Sequence, residues 1–146
     1  MVRNIGSVEG NRPASDNDWE AVKSGGDPAI KRWITGQLSG KSCAVVLIGA
    51  NTANRKWINH EIVQAWDNGL GVAGIYNHGL KDANGDTSSM GHNPFDYITH
   101  GKTRYKLSSI VKACSPVGLT SQNCYAWISD NLSSIVEEAI TIRGKN

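Results

Sequence analysis

No apolar run in this chain approaches the roughly 20 residues that a bilayer-spanning helix needs. The N-terminal stretch Met1 to Ser15 is polar and has no apolar segment of the secretory type. The expectation is a cytoplasmic protein with no membrane partner. Cysteine is scarce. Cys43, Cys114 and Cys124 make an odd number at no metal-ligand spacing, which argues for reduced structural thiols rather than a disulfide framework or a metal cluster. A dominant charge is missing as well. The formal net charge is only +2, and the basic residues are scattered, so nucleic acid is not an expected partner. The four histidines, His60, His78, His92 and His100, share no ligand spacing, and no metal site is expected. Asp82, Asn84 and Asp86 resemble part of a calcium loop, but Asn93 stands where the bidentate glutamate belongs. Ser108-Ser109 and Ser133-Ser134 lack a nucleophile elbow, which removes a serine hydrolase.

What is present is one domain's worth of chain, 146 residues at 39% apolar, organised around the stretch from Cys43 to Trp66. Cys43 to Ile48 is an unbroken apolar run with β-branched residues at its centre. That pattern predicts a strand buried on both faces, as in the interior of a parallel sheet. Gly49 turns the chain out of the strand. Asn51-Thr52-Ala53-Asn54 offers turn and capping side chains before a helix over about 54–68. Ile58, Ile62, Ala65 and Trp66 form its apolar stripe, and Trp57, Glu61 and Gln64 fall on the flank of that stripe.

Upstream, Asp16 or Asp18 is placed to cap a short helix carrying Trp19 and Val22 and ending at Gly25-Gly26. Asp27-Pro28 signals the start of another, with Ile30, Trp33, Ile34 and Leu38 on one face. Downstream, Gly69 closes the central helix and Gly71 to Tyr76 makes a second strand. His78 to Arg104 is a long polar segment with turn signals at Asn84-Gly85 and Asn93-Pro94, expected to be mobile apart from an anchor at Phe95 or Tyr97. Leu107 to Ala113 is a third strand candidate, broken by Ser115-Pro116. Thr120 or Ser121 opens a long terminal helix whose apolar face is Ala126, Ile128, Leu132, Ile135, Val136 and Ala139. Strands alternating with helices predict a parallel α/β sheet, with further strands expected near the N-terminus.

Gly69-Leu70-Gly71-Val72-Ala73-Gly74 matches the GxGxxG pattern in the wrong context. The dinucleotide fingerprint follows a strand and opens a helix, whereas these glycines follow a helix and enter a strand. A helix stop and a close backbone approach explain them better. Glu61 is the residue with most chemical interest. Its bland reading is an exposed helix carboxylate. Trp57 one turn earlier favours a site, because an aromatic face beside a carboxylate suits a ribose or a ring substrate. Asn51 lies just past the strand end, where open α/β sheets bind ligands, although a turn-forming role accounts for it better.

The strand Ala44-Val45-Val46-Leu47-Ile48-Gly49 followed by Asn51 through Ile62, with its Trp-x-x-x-Glu helix, resembles bacterial TIR-like domains, in particular the TIR-like component of the Thoeris antiphage system. Val2-Arg3-Asn4, Asp18-Trp19-Glu20, Asp27 through Trp33, Gly74-Ile75-Tyr76, Asn93-Pro94-Phe95-Asp96-Tyr97, Leu107-Ser108-Ser109 and Tyr125-Ala126-Trp127-Ile128 extend the resemblance over nearly the whole chain. It implies a single TIR-like domain over residues 1–146, with a flavodoxin-like three-layer α/β fold and a parallel sheet. It places Val2-Arg3-Asn4 near the end of the family's first helix, so the chain is N-terminally short by comparison.

The resemblance also implies an NAD-consuming glycohydrolase or cyclase that makes a cyclic ADP-ribose-type signal for a separate effector. NAD is then a substrate rather than a cofactor. By position the required glutamate is Glu61, with Trp57 and Asn51 as substrate-binding candidates, and self-association is a further expectation. The alternative is a non-enzymatic TIR-like interaction module. A receiver-like or flavin-binding domain is weaker, for want of an acidic metal cluster or a phosphate loop after a strand.

Overall fold

A computed structural model describes residues 22–79, 90–101, 104–118 and 120–146. Its elements follow one another as α1 (Gly26–Leu38), β1 (Cys43–Ile48), α2 (Lys56–Asp67), β2 (Gly71–Tyr76), a 3-10 turn at Pro94–Tyr97, a second at Leu107–Ser109, β3 (Ala113–Cys114) and α3 (Ser121–Lys145). The three strands form one parallel sheet in the order β1-β2-β3. Cys43 pairs with Gly71 and the register runs on to Ile48 with Tyr76.

Three layers result from the alternation of side chains along the strands. Ala44, Val46, Ile48, Val72 and Tyr76 face the helices α1 and α2, where Ile30, Ile34, Leu38, Ile58, Ile62, Ala65 and Trp66 meet them. Cys43, Val45, Ala73 and Ile75 point the other way, onto Ile135 and Ala139 of α3. Both faces are covered, which is why the strands read as continuous apolar runs. The fold is therefore the α/β, parallel-sheet architecture of a flavodoxin-like, TIR-like domain. No helix among the described residues is long and apolar enough to cross a membrane.

Several local expectations change. Among the described residues β1 pairs only with β2, so the middle strand of this sheet is β2 rather than β1. Burial on both faces comes from the helices, and an apolar run cannot report how many strands flank it. Leu107 begins a 3-10 turn instead of a strand, and the extended stretch is confined to Ala113–Cys114. Ser108 donates to Asp96 and Ser109 to the Lys106 carbonyl, local bonds that hold a turn against the ladder. Leu107 and Val111 still enter the core. In α3, Ala126 is exposed and Cys124 takes its place among the buried residues. The polar segment before Arg104 contains an ordered piece. Asn93 caps the 3-10 turn by accepting from the Phe95 amide at 2.9 Å, and Phe95 is fully buried while Tyr97 is 47% exposed. The expected N-terminal helix start, the further N-terminal strands and the Asp82, Asn84 and Asp86 turn lie outside the described residues.

The glycine-rich stretch has structural work at each position. Gly69 sits at φ +84°, the left-handed conformation that closes a helix. A Cβ on Gly71 would lie 2.6 Å from the Ile140 amide nitrogen of α3, and one on Gly74 would lie 2.7 Å from Ile48 Cδ1. A helix stop at Gly69, the close approach of α3 to Gly71 and the packing of Ile48 and Phe95 against Gly74 account for these glycines.

Candidate functional site

The chain leaves β1 at the carboxyl end of the sheet through a tight turn. Thr52 accepts from the Gly49 amide at 2.8 Å with its hydroxyl, and its own amide donates to the Gly49 carbonyl. Asn54 adopts φ 58°, a conformation asparagine tolerates better than most residues. Arg55 then stands at the N-cap position of α2 without a side-chain cap bond. The expected capping role of this segment is thus replaced by turn formation. Asn51 is exposed, and its carbonyl accepts from Arg55 Nε at 2.7 Å. That backbone contact suits its turn-forming reading.

Trp57 is half-buried at the start of α2. Lys56 Nζ lies 4.7 Å from its ring centre, and His60 meets it edge-on with the ring centres 5.6 Å apart. Glu61, one turn further, shares the same flank of the helix. It is not the exposed carboxylate of its bland reading. Glu61 is only 5% exposed and stands among the buried residues of α2 with Ile58, Ile62, Ala65 and Trp66. Its Oε2 is buried with no hydrogen-bond partner. Burial pushes the carboxyl pKa up to about 8, because a charge held away from water is disfavoured. A raised carboxyl without a partner is costly to keep for stability alone, and such groups cluster where a ligand is to be met.

His60 was legible only as an ordinary surface histidine. In the structure its Nε2 is buried with no partner, and burial holds the ring below its usual protonation range, with Lys31 and Lys56 adding to the effect. The signal available in the sequence was its three-residue spacing from Trp57. Asp27, expected to cap α1, lies inside the first turn of that helix. It bonds Lys56 Nζ at 2.6 Å and so ties α1 to α2 beside Trp57. Among the described residues no group of three or more histidine, cysteine or acidic side chains is gathered for a metal ion.

The family model described as "Thoeris protein ThsB, TIR-like domain" matches residues 1–82, more than half of the chain and including α1, β1, α2 and β2. A curated relative from Bacillus cereus (strain MSX-D12), named "Putative cyclic ADP-D-ribose synthase ThsB1", is 42% identical over 80 residues. That match takes in 55% of this chain and 42% of the relative, so the chain spans less than half of the relative's length in alignment. On the extent of the family match, the chain belongs to the TIR-like domain family of the Thoeris protein ThsB.

Proposed function

We propose that this domain cleaves the bond between nicotinamide and ribose in NAD, with Glu61 on the ribose and Trp57 walling the site. The observation that carries the reading is the buried Glu61 carboxyl with an unpartnered Oε2 beside a half-buried indole. A ribose hydroxyl donating to that oxygen supplies the missing bond. Cleavage breaks the C1′–N bond, the electron pair leaves with nicotinamide, and oxocarbenium character develops on the ribose. A carboxylate close to that carbon stabilises the developing charge. The cationic nicotinamide ring favours the carboxylate over the acid, and so offsets the burial that raises the pKa of the empty site.

Capture of the ribosyl carbon by water gives ADP-ribose, and capture by a nitrogen of the adenine gives a cyclic ADP-ribose. The relative's name, "Putative cyclic ADP-D-ribose synthase ThsB1", supports the second outcome; in this reading the cyclic nucleotide is a diffusible signal for a separate effector. The experiment is nicotinamide release and melting temperature measured on the same preparations of wild type and Glu61→Gln. The expected result is loss of release by at least about a hundredfold, near 2.7 kcal/mol, with the fold retained. Wild-type turnover in the variant would end the catalytic assignment. A folded wild-type protein that releases no nicotinamide would favour the non-enzymatic interaction module.

A further inference from the structure

Charge is segregated along the second half of the chain. From Tyr97 to Ser129 there are four basic residues, Lys102, Arg104, Lys106 and Lys112, and no acid. From Ala113 to Ile142 there are three acids, Asp130, Glu137 and Glu138, and no lysine, arginine or histidine. The basic stretch begins as a ribbon. Thr99 bridges Lys106 in antiparallel pairing, the Leu107 amide donates to the Ile98 carbonyl at 2.7 Å, and the His100 amide donates to the Tyr105 carbonyl at 2.8 Å. Ile98 and Leu107 belong to the core under α1 and α2, and His100 packs on Trp66. Tyr97, Arg104, Tyr105 and Lys106 are exposed on the ribbon. The acids lie on α3, where Asp130 and Glu137 share one exposed stripe and stand about 10.5 Å apart along the axis. That stripe points away from Ile135 and Ala139, which hold α3 to the other face of the sheet. Ala126, Ser133 and Ser134 beside the two acids are small and exposed, so the stripe is shallow. Lys112 and Glu138 pair with each other. Among the described residues, Arg104, Lys106, Asp130 and Glu137 have no ion-pair partner.

We propose that the ribbon of one copy docks, head to tail, on the Asp130–Glu137 stripe of α3 in a second copy. The two surfaces lie on opposite sides of one sheet, so they cannot meet within one chain. Their charges are opposite, which orients the approach of two copies and fixes register. Exposed Tyr97 and Tyr105 supply apolar area beside Arg104, and tyrosine and arginine are the side chains that carry contact energy at interfaces. The interface is heterologous, so each copy keeps one surface of each kind for a further neighbour, and association continues into a ring or an open filament. Exposed ion pairs contribute little singly, which makes the contact weak, concentration-dependent and sensitive to salt. A polyanion would fit the ribbon but would leave the acidic stripe without a role.

The test is sedimentation velocity of the whole protein over a range of concentrations. Wild type is expected to associate. Salt at about 1 M, where the screening length falls to about 3 Å, should raise its dissociation constant at least about tenfold. Arg104→Glu with Lys106→Glu, and separately Asp130→Lys with Glu137→Lys, should each stay monomeric at concentrations where wild type associates. An equimolar mixture of these two double variants should associate again, because each ribbon then meets a helix stripe of opposite sign. Lys31→Glu with Arg32→Glu, exposed on α1, shifts the net charge as far as the ribbon pair does and should associate like wild type. Every one of these side chains is exposed, melting temperatures check the fold, and the salt response of wild type needs no variant. A monomeric wild type, association indifferent to both reversals, or variants that fail to recover on mixing overturns the contact. A single-stranded oligonucleotide bound through the ribbon of a protein that stays monomeric overturns it in favour of a polyanion.

Discussion

Arg143 and Trp66 are joined twice: the guanidinium carbon lies 4.6 Å from the indole centre, and Arg143 Nε donates to the Trp66 carbonyl at 3.0 Å. One residue thereby fastens the last turn of α3 to the last turn of α2, helices on opposite faces of the sheet. The Trp66 carbonyl also accepts from the Gly69 amide at 3.0 Å, so Arg143 adds a second donor to the closing turn of α2. His100 packs edge-on against the same indole, with ring centres 5.8 Å apart, so the segment after the first 3-10 turn joins the contact.

Arg143→Ala should therefore lower unfolding free energy by about 1–2 kcal/mol, the sum expected for a cation over an aromatic ring and a charge-assisted hydrogen bond. Arg143→Lys should recover part of the first and little of the second. Urea denaturation of the three proteins measures both, and a wild-type midpoint in Arg143→Ala would show the contact to be energetically idle.

Gly71→Ala is expected to destabilise by roughly 2 kcal/mol or more through overpacking. The new methyl would meet backbone atoms of Ile140 and Ala139, at 2.6 and 2.7 Å, which no rotamer change relieves. A phosphate-binding role for these glycines predicts the reverse, an unchanged melting temperature with NAD turnover lost. Thermal denaturation together with nicotinamide release separates the two.

Glu61 gives the protein a pH dependence whose sign is fixed by the direction of its shift. The folded-state pKa of about 8 lies above the reference value of 4.5, so the native state holds a proton that the unfolded chain releases first. The stabilisation from the neutral acid is complete below about 4.5 and is lost as pH rises through about 8. Its full span is roughly 4–5 kcal/mol at 1.36 kcal/mol per unit. Glu61→Gln cannot ionise, so its stability relative to wild type should improve across that window and then level off. Catalysis runs the opposite way, since the carboxylate is the useful form. The kcat/KM for NAD should rise through about pH 8. Chemical denaturation and initial rates at a series of pH values measure both slopes, and flat profiles would contradict the burial of this carboxyl.

The sequence by itself determined the central part of the domain. Cys43–Ile48 and Gly71–Tyr76 are strands at the boundaries their apolar runs imply, and Lys56–Asp67 is the helix its 3/4 spacing predicts. These signals are local, because each records the environment of consecutive residues. The nearness of Glu61 to Trp57 was legible for the same reason, as residues one turn apart on one flank.

What the tertiary structure decided are relations between residues far apart in the chain. The place of β1 beside β2 alone, among the described residues, depends on partners that an apolar run cannot count. The burial of Glu61 turns an ordinary helix carboxylate into a raised, unpartnered one, because burial depends on what packs over the helix flank. The meeting of Asp27 and Lys56 across 29 positions sets the start of α1 against the start of α2 beside Trp57. Periodicity fixes which way a side chain leaves its own helix, but only packing supplies the neighbours that give it a charge state and a use.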